Sequence, residues 1–134
     1  MKSLKTTGLF VFSLAILAAC QTKETSSIVN LTPQEFSAQL KAKGDSALLV
    51  DVRTPDEFNS GHIQGALSVD FNGPAFSDEV AKLPKDKQVY IYCRSGGRSK
   101  ASAPVFLNAG FKQVANLAHG ISAWQESGMP VSPN

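Results

Sequence analysis

The fold of this chain is decided by residues 89–102, which read VYIYCRSGGRSKAS. Four apolar or aromatic residues run directly into Cys93, and two arginines, two adjacent glycines and three serines follow it. Adjacent glycines let a backbone turn tightly, because they adopt positive φ without steric cost. The stretch therefore predicts a buried strand that ends at residue 92, a tight loop that begins at the cysteine, and a helix from residue 99.

Strand and helix patterns alternate on both sides of this unit. Nearly continuous apolar runs predict further strands, and Thr-Pro-x-Glu starts at Thr32 and Thr54 predict helices with capping boxes. The predicted strands are residues 47–52, 66–71, 88–92 and 113–117. The predicted helices are residues 33–43, 55–60, 74–83, 99–109 and 120–128. This alternation predicts an α/β domain whose central sheet has about five mostly parallel strands, with helices on both faces.

Composition narrows the class of function. The 134 residues fit one domain, and a hydrophobic fraction of 43% is enough for an ordinary core. Outside Lys2 and Lys5 the charges balance, with 11 basic and 11 acidic residues. A balanced domain lacks the clustered positive face of a nucleic-acid-binding protein, so no nucleic-acid partner is expected.

The N-terminus has the pattern of an export signal. Residues 1–7 are basic, residues 8–19 are apolar or small, and the LAAC sequence at residues 17–20 resembles a bacterial lipobox. We therefore expect a lipoprotein-type signal peptide over residues 1–19, a lipidated Cys20 with a polar tether over residues 20–27, and the folded domain over residues 28–132. Ordinary cleavage near Ala18 or Ala19, which would leave Cys20 as a free thiol, is the alternative.

A lipid anchor at Cys20 would place the domain on the periplasmic side of the cell envelope, attached to the membrane. Gln21 stands where an aspartate would indicate retention in the inner membrane, so the outer membrane is favoured. The sequence has no additional apolar stripe for self-association, and a monomer is expected.

Cys93 has the surroundings of a reactive thiol. If Cys20 carries lipid, Cys93 has no partner for an intramolecular disulfide, because the chain contains two cysteines. Backbone N–H groups of a tight loop, the N-terminal end of the next helix, and the charges of Arg94 and Arg98 would all stabilise a thiolate. The pattern predicts a nucleophile with a lowered pKa and an anionic ligand. An inert, buried thiol is the alternative.

At this point the chain resembles the single-domain form of the rhodanese-like (sulfurtransferase) family. The resemblance covers residues 28–131 and is carried by three blocks. They are LLVDVRTPDEFNSGHIQGA at residues 48–66, VYIYCRSGGRS at residues 89–99, and NAGFKQVANLAHGISAW at residues 108–124. Together these blocks are highly specific, whereas one short block alone would not be.

The resemblance implies sulfur transfer through a persulfide on Cys93. The donor would be thiosulfate or another compound with a sulfane sulfur, and the acceptor would be a thiol or cyanide. The loop would bind the donor through backbone N–H groups and two guanidinium groups, with the binding residues Arg94, Ser95, Gly96, Gly97 and Arg98. No metal is expected, because the two histidines are far apart in sequence, and no organic cofactor is implied.

Residues outside the loop are interpreted as structural. Asp51 and Arg53 follow a buried strand and are expected to support the loop's surroundings through charge pairing. His62 is expected to be a turn residue with backbone hydrogen bonds. Glu57 is interpreted as a helix-start residue rather than a general acid, and Trp124 as a core residue.

Two positions depart from the pattern of the family. His119 stands before Gly120, where the family often has a pair of glycines, and its side chain could narrow the pocket, change the choice of acceptor or point to solvent. Pro104 lies inside a predicted helix, where it should kink the helix or remove one hydrogen bond.

Three other functions are alternatives to sulfurtransferase activity. Related phosphatases and arsenate reductases have five residues between cysteine and arginine, whereas four separate Cys93 from Arg98, and Tyr92 stands where they have a histidine. A redox protein would need a resolving cysteine, and no C-x-x-C motif occurs. A sulfur-carrier or protein-interaction module with little turnover is the main alternative.

Overall fold

The computed structural model describes residues 26–133. The strands are Ser27–Leu31 (β1), Ala47–Asp51 (β2), Leu67–Ser68 (β3), Gln88–Tyr92 (β4) and Gln113–Leu117 (β5). The α-helices are Pro33–Lys43 (α1), Pro55–Asn59 (α2), Phe76–Lys82 (α3), Gly97–Asn108 (α4) and Gly120–Glu126 (α5). The predicted signal peptide and Cys20 lie outside the described residues.

The five strands form one sheet in the order β1-β5-β4-β2-β3, and every pair is parallel. This confirms the predicted α/β architecture. Strands β2 and β4 lie inside the sheet and are covered on both faces, which explains why their sequences are nearly continuous apolar runs. Because all strands run in one direction, their carboxyl ends share one edge, and Cys93 follows β4 at that edge.

Side chains of β4 alternate between two cores, one on each face of the sheet. Val89 and Ile91 belong to a cluster with residues of α3 and α4, whereas Tyr90 and Tyr92 belong to a cluster with residues of α1 and α5. Trp124 is in the second cluster, and its indole N–H donates a hydrogen bond to the Pro130 carbonyl oxygen at 2.9 Å. The expected core role of Trp124 is therefore confirmed.

Helices α1 and α2 begin as their capping motifs predict. The hydroxyl of Thr32 accepts a hydrogen bond from the amide of Glu35, and Thr54 and Glu57 form the same reciprocal pair. Both threonines have extended backbone and both are followed by proline, which is suited to the first helical position. These local interactions fix where the chain enters each helix.

Several boundaries differ from the sequence prediction. Strand β3 contains two residues instead of the expected six, because only Leu67 and Ser68 pair in register with β2. Helix α4 begins at Gly97 rather than residue 99, since Gly96 has the left-handed conformation that ends the loop. The helix continues through Pro104, so the effect of that proline is the hydrogen bond that its nitrogen cannot donate.

Within residues 26–133 no helix is both long enough and apolar enough to cross a membrane.

Candidate active site

The loop between β4 and α4 surrounds the sulfur of Cys93. The amide of Gly96 donates a hydrogen bond to the Cys93 sulfur at 3.1 Å, and the φ of Gly96, 99°, turns the chain that follows into helix α4. The hydroxyl of Ser99 lies 3.5 Å from the same sulfur. Cys93 is 1% exposed. The sulfur therefore lies at the base of a loop whose donors point toward it, as the paired glycines predicted.

These donors determine the charge state of the thiol. Burial raises the pKa of Cys93, but hydrogen bonds from the Ser99 hydroxyl and from the amides of Ser99, Gly96 and Ser95 outweigh it, so the pKa lies below the ordinary value for cysteine. Ser99 was predicted only as the start of a helix, and its contact with the sulfur is a finding of the structure. A serine in the first turn of a helix that follows a cysteine loop was the available signal.

Replacing Ser99 with alanine is expected to raise the pKa of Cys93, because the thiolate loses one donor. A hydrogen bond of this kind contributes about 0.5–1.5 kcal/mol. Below the thiol pKa, the rate of iodoacetamide alkylation should therefore fall by about two- to tenfold. The measurement is the alkylation rate as a function of pH, followed by mass spectrometry.

The matched control is Ser102→Ala, a buried serine of the same helix whose hydroxyl bonds to the Ser99 carbonyl oxygen instead of the sulfur. Ser102→Ala should leave the alkylation profile of Cys93 in place. Equal shifts in both variants would show that helix packing, and not the contact with the sulfur, controls the thiol.

The two loop arginines have different environments. Arg98 makes two hydrogen bonds to the carboxylate of Glu57, at 2.7 Å and 2.8 Å. Arg94 is exposed, and no ion pair involves it among the residues that the structure describes. A donor anion would thus meet one unpaired guanidinium and one that already shares its charge with a carboxylate. The assignment of both arginines to donor binding stays a prediction.

Glu57 has a second role besides starting α2. Its carboxylate accepts hydrogen bonds from Arg98 and from the amide and hydroxyl of Thr54. The Arg98 hydrogen bond, helped by the Thr54 bonds and opposed by burial, lowers the pKa of Glu57 to about 2. Glu57 therefore ties helix α2 to the first turn of α4, next to the Cys93 loop.

Replacing Glu57 with glutamine should change how stability depends on pH. Since the pKa of Glu57 falls from 4.5 to about 2 on folding, its ionised form stabilises the fold fully above pH 4.5, and this contribution disappears as the pH falls toward 2. For a partly exposed pair we expect the wild type to be more stable by at most about 1 kcal/mol at pH 7. The difference should shrink between pH 4.5 and 2.

Thermal unfolding of both proteins from pH 7 to pH 2 measures this effect. Glu126→Gln is the matched control, because Glu126 is exposed on α5 and no ion pair involves it among the described residues. A gap between wild type and Glu57→Gln that stays constant with pH would contradict the assigned ion pair.

Asp51 and Arg53 lie at the carboxyl end of β2, next to the end of β4. The two side chains form a buried ion pair with a closest distance of 2.6 Å, and Arg53 also donates to the Gly61 carbonyl oxygen at 2.7 Å. Asp51 pairs in register with Tyr92, the residue before the cysteine. The predicted charge pairing is present, and it lies directly beside the end of β4.

His62 has the backbone contacts expected of a turn residue. Its Nδ1 lies 3.1 Å from the Phe58 carbonyl oxygen, and its ring stacks on that of Phe58 at 3.9 Å between centroids. Its backbone forms an antiparallel bridge with Ser132. His62 thereby joins the turn after α2 to the C-terminal segment.

The start of α5 holds the other side of the loop. The amides of Ile121 and Ser122 donate hydrogen bonds to the carbonyl oxygens of Cys93 and Arg94, at 2.9 Å and 3.1 Å. This approach requires Gly120, because a Cβ atom at that position would lie 2.5 Å from the Cys93 carbonyl oxygen. His119 precedes it with φ 59°, a conformation that a glycine would adopt without strain.

Two clefts flank the loop. One, of about 340 Å³, is lined by Arg53, Glu57, Arg94 and residues of α5. The other, of about 380 Å³, is lined by residues 95–97, by Lys100 and His119, and by residues at the ends of β1 and β5.

Within residues 26–133 no group of three or more His, Cys, Asp and Glu side chains is placed to hold a metal ion. The chemistry available here is that of a thiolate among hydrogen-bond donors and cations.

Comparison with known proteins gives a consistent result. Residues 32–127 match the model of the rhodanese-like domain. A sulfurtransferase of Allochromatium vinosum is 38% identical over 104 residues, which are 78% of this chain and 95% of the relative. The chloroplastic thiosulfate sulfurtransferase 16 of Arabidopsis thaliana is 35% identical, over 60% of this chain and 76% of the relative. A rhodanese-related protein of Thermoplasma volcanium has the same fold, with a TM-score of 0.67 at 24% identity over 79% of this chain and 99% of its own.

Proposed function

The chain belongs to the rhodanese-like domain family, and on that premise we propose that it moves sulfane sulfur from thiosulfate, or a similar donor, to a thiol through a persulfide on Cys93. The observation that carries the proposal is the position of the Cys93 sulfur, which receives hydrogen bonds from the Gly96 amide and the Ser99 hydroxyl. Those donors favour the thiolate that must attack, and they remain in place for the persulfide that forms.

In the first half of the reaction the Cys93 thiolate attacks the outer sulfur of thiosulfate. A bond forms between the two sulfurs, the sulfur–sulfur bond of the donor breaks, and its electron pair leaves with sulfite. The exposed Arg94 beside the loop can attract the dianionic donor and stabilise the departing sulfite. The loop then holds a negatively charged persulfide, for which the backbone N–H groups of residues 94–98 are the proposed donors.

In the second half an acceptor thiolate attacks the outer sulfur of the persulfide. The sulfur moves to the acceptor, and Cys93 is released as a thiolate ready for another cycle. Cyanide can replace the thiol in an assay. Both steps transfer sulfur without net oxidation, so no metal or organic cofactor takes part.

The proposed cellular setting follows from the N-terminal sequence. We propose that the domain is a monomer held by lipid at Cys20 on the periplasmic side of the envelope, with the outer membrane favoured by Gln21. Treating expressing cells with globomycin tests the lipid anchor, because that inhibitor blocks the lipoprotein signal peptidase. Processing that is unchanged by globomycin would overturn it.

Intact-mass spectrometry tests the sulfur-transfer proposal. The chain from residue 21 onward contains every described helix and strand, and Cys93 is its only thiol. Incubation with thiosulfate should add one sulfur atom, and cyanide should remove it. A protein that gains no sulfur at any thiosulfate concentration would overturn thiosulfate as donor. A persulfide that forms but turns over slowly with thiols would favour the low-turnover carrier.

A further inference from the structure

The lysines of the domain gather at the amino edge of the sheet, where its strands begin. Of the seven lysines in residues 26–133, six lie in the segments that lead into β2, β4 and β5, which are residues 41–46, residues 82–87 and Lys112. Two acidic residues, Asp45 and Asp86, lie in the same segments, whose net charge is therefore +4. The remainder of the described domain carries −4 with histidine neutral. The balanced total charge of the chain thus conceals a positive edge.

The three segments meet in one cleft of about 310 Å³. They come together because β2, β4 and β5 are neighbours in the sheet and run in the same direction. One acidic residue, Asp86, contributes to the lining of the cleft. Its positive lining residues are Lys43, Lys85, Lys87 and Lys112. The excess of lysine means that this part of the surface attracts anions.

Local structure accounts for part of the lysine cluster. Lys43 lies in the last turn of α1, where a positive charge stabilises the end of a helix. The ammonium group of Lys85 donates hydrogen bonds to carbonyl oxygens at the end of α3. Lys87 and Lys112 lie outside helices, directly before β4 and β5, so helix capping does not explain their positions.

The N-terminal segment enters the domain at the same edge. The amide of Ser27 donates a hydrogen bond to the Lys112 carbonyl oxygen at 3.2 Å, and Ser27 is in register with Gln113, which lines the cleft. Residue 26 is six positions after Cys20. A chain of that length spans at most about 20 Å. A lipid on Cys20 would therefore hold the lysines close to the surface of a bilayer.

The residue types at this edge suit a lipid surface better than a nucleic acid. The three arginines of the described domain, whose planar groups can bind phosphates and bases through paired hydrogen bonds, all follow the carboxyl ends of β2 and β4. Lysine ammonium groups are compact point charges that attract anionic headgroups. Ile28, the second residue of β1, is 39% exposed and offers an apolar side chain beside them.

We propose that the amino edge docks on a bilayer surface that contains anionic phospholipids, with the lysines of the cleft against the headgroups. The proposal goes beyond sulfur transfer, and it rests on the proposed anchor at Cys20 for the choice of lipid over other polyanions. Cys93 follows β4 at the opposite edge of the sheet, so docking by the lysines leaves the Cys93 loop uncovered.

Sedimentation with lipid vesicles tests the docking without the anchor. The chain from residue 21 onward is mixed with vesicles of phosphatidylcholine alone, or with vesicles that also contain about 30% phosphatidylglycerol. At low salt the partition coefficient should be at least about tenfold higher for the anionic vesicles, because several lysines act together. This preference should disappear as the salt concentration rises to about 0.5 M, which screens the charges.

The variants Lys43→Gln and Lys112→Gln should each lower the partition coefficient on anionic vesicles by about fivefold. Lys100→Gln is the matched control, because Lys100 is an exposed lysine in the first turn of α4, at the opposite edge of the sheet. It removes the same charge from the chain, and its partition coefficient should equal that of the wild type. Thermal unfolding checks that all three variants fold.

Four results would overturn the proposal. They are equal binding to neutral and anionic vesicles, wild-type binding by both amino-edge variants, a loss in Lys100→Gln as large as theirs, and slower alkylation of Cys93 by iodoacetamide on the vesicles. Tighter binding to a DNA duplex of about 20 base pairs than to anionic vesicles would assign the lysines to nucleic acid instead. None of these measurements involves sulfur transfer or the lipid anchor, which intact mass and globomycin test separately.

Discussion

Replacing Cys93 with serine is expected to abolish sulfur transfer, with a loss on the order of 10⁴-fold or more, as for other enzymes that lose their nucleophile. Serine cannot form a persulfide, and its hydroxyl is not ionised at neutral pH. The fold should be kept, because serine is slightly smaller than cysteine and its oxygen can accept the hydrogen bonds from the Gly96 amide and the Ser99 hydroxyl. The measurement is thiosulfate:cyanide sulfurtransferase activity, together with intact mass after thiosulfate.

The same experiment includes a stability control and two results that would contradict the role of Cys93. Cys93→Ser should unfold within a few degrees of the wild type, so that lost activity reports on chemistry rather than folding. Residual activity above a few per cent would mean that sulfur is transferred elsewhere or without a covalent intermediate. A gain of sulfur by the serine variant would exclude Cys93 as the carrier.

Replacing Gly120 with alanine is expected to destabilise the domain by at least about 3 kcal/mol and to remove activity. The positive φ of Gly120 alone would cost an alanine about 1–2 kcal/mol. The added methyl group would also meet the backbone of Cys93 and Arg94, with the Cys93 carbonyl oxygen 2.5 Å away. Backbone cannot move aside as a flexible side chain can, so α5 and the loop would have to separate.

The variant Gly65→Ala separates the cost of positive φ from the cost of the steric contact with the Cys93 loop. Gly65 also has positive φ, at 86°, but a Cβ atom there would have no neighbour within 4 Å. Urea unfolding of both variants should show a loss of about 1–2 kcal/mol for Gly65→Ala and a clearly larger loss for Gly120→Ala. Equal losses would mean that the contact between α5 and the Cys93 loop yields easily, and the assigned role of Gly120 would be wrong.

Features set by short stretches of sequence could be predicted. Both capping boxes are built from residues three positions apart, so Thr32 and Thr54 marked the helix starts without knowledge of the fold. The buried strands β2 and β4 were visible because central parallel strands are apolar throughout. The two edge strands were harder to predict from the sequence. β1 has alternating exposure and was not predicted as a strand, and β3 was predicted too long.

Contacts between residues far apart in the chain could not be predicted from the sequence. Glu57 and Arg98 are 41 positions apart, and their ion pair depends on how α2 and α4 are placed by different strands. The contact between the Ser99 hydroxyl and the Cys93 sulfur depends on the curvature of the loop, which a residue pattern does not specify. The requirement for glycine at position 120 likewise comes from the closeness of α5 to the backbone of another loop. Each of these needs the relative position of two elements.

In the parallel sheet, the amino ends of the strands lie at one edge and the carboxyl ends lie at the opposite edge. Because every strand runs in the same direction, β1 begins at the edge opposite the one where Cys93 emerges from β4. A five-residue strand is about 17 Å long, which sets the distance between those edges. An anchor upstream of residue 26, as proposed for Cys20, would therefore join the domain at the amino ends of the strands. The sulfur-bearing loop would then lie at the other end of the strands, with the length of the sheet between it and the point of attachment.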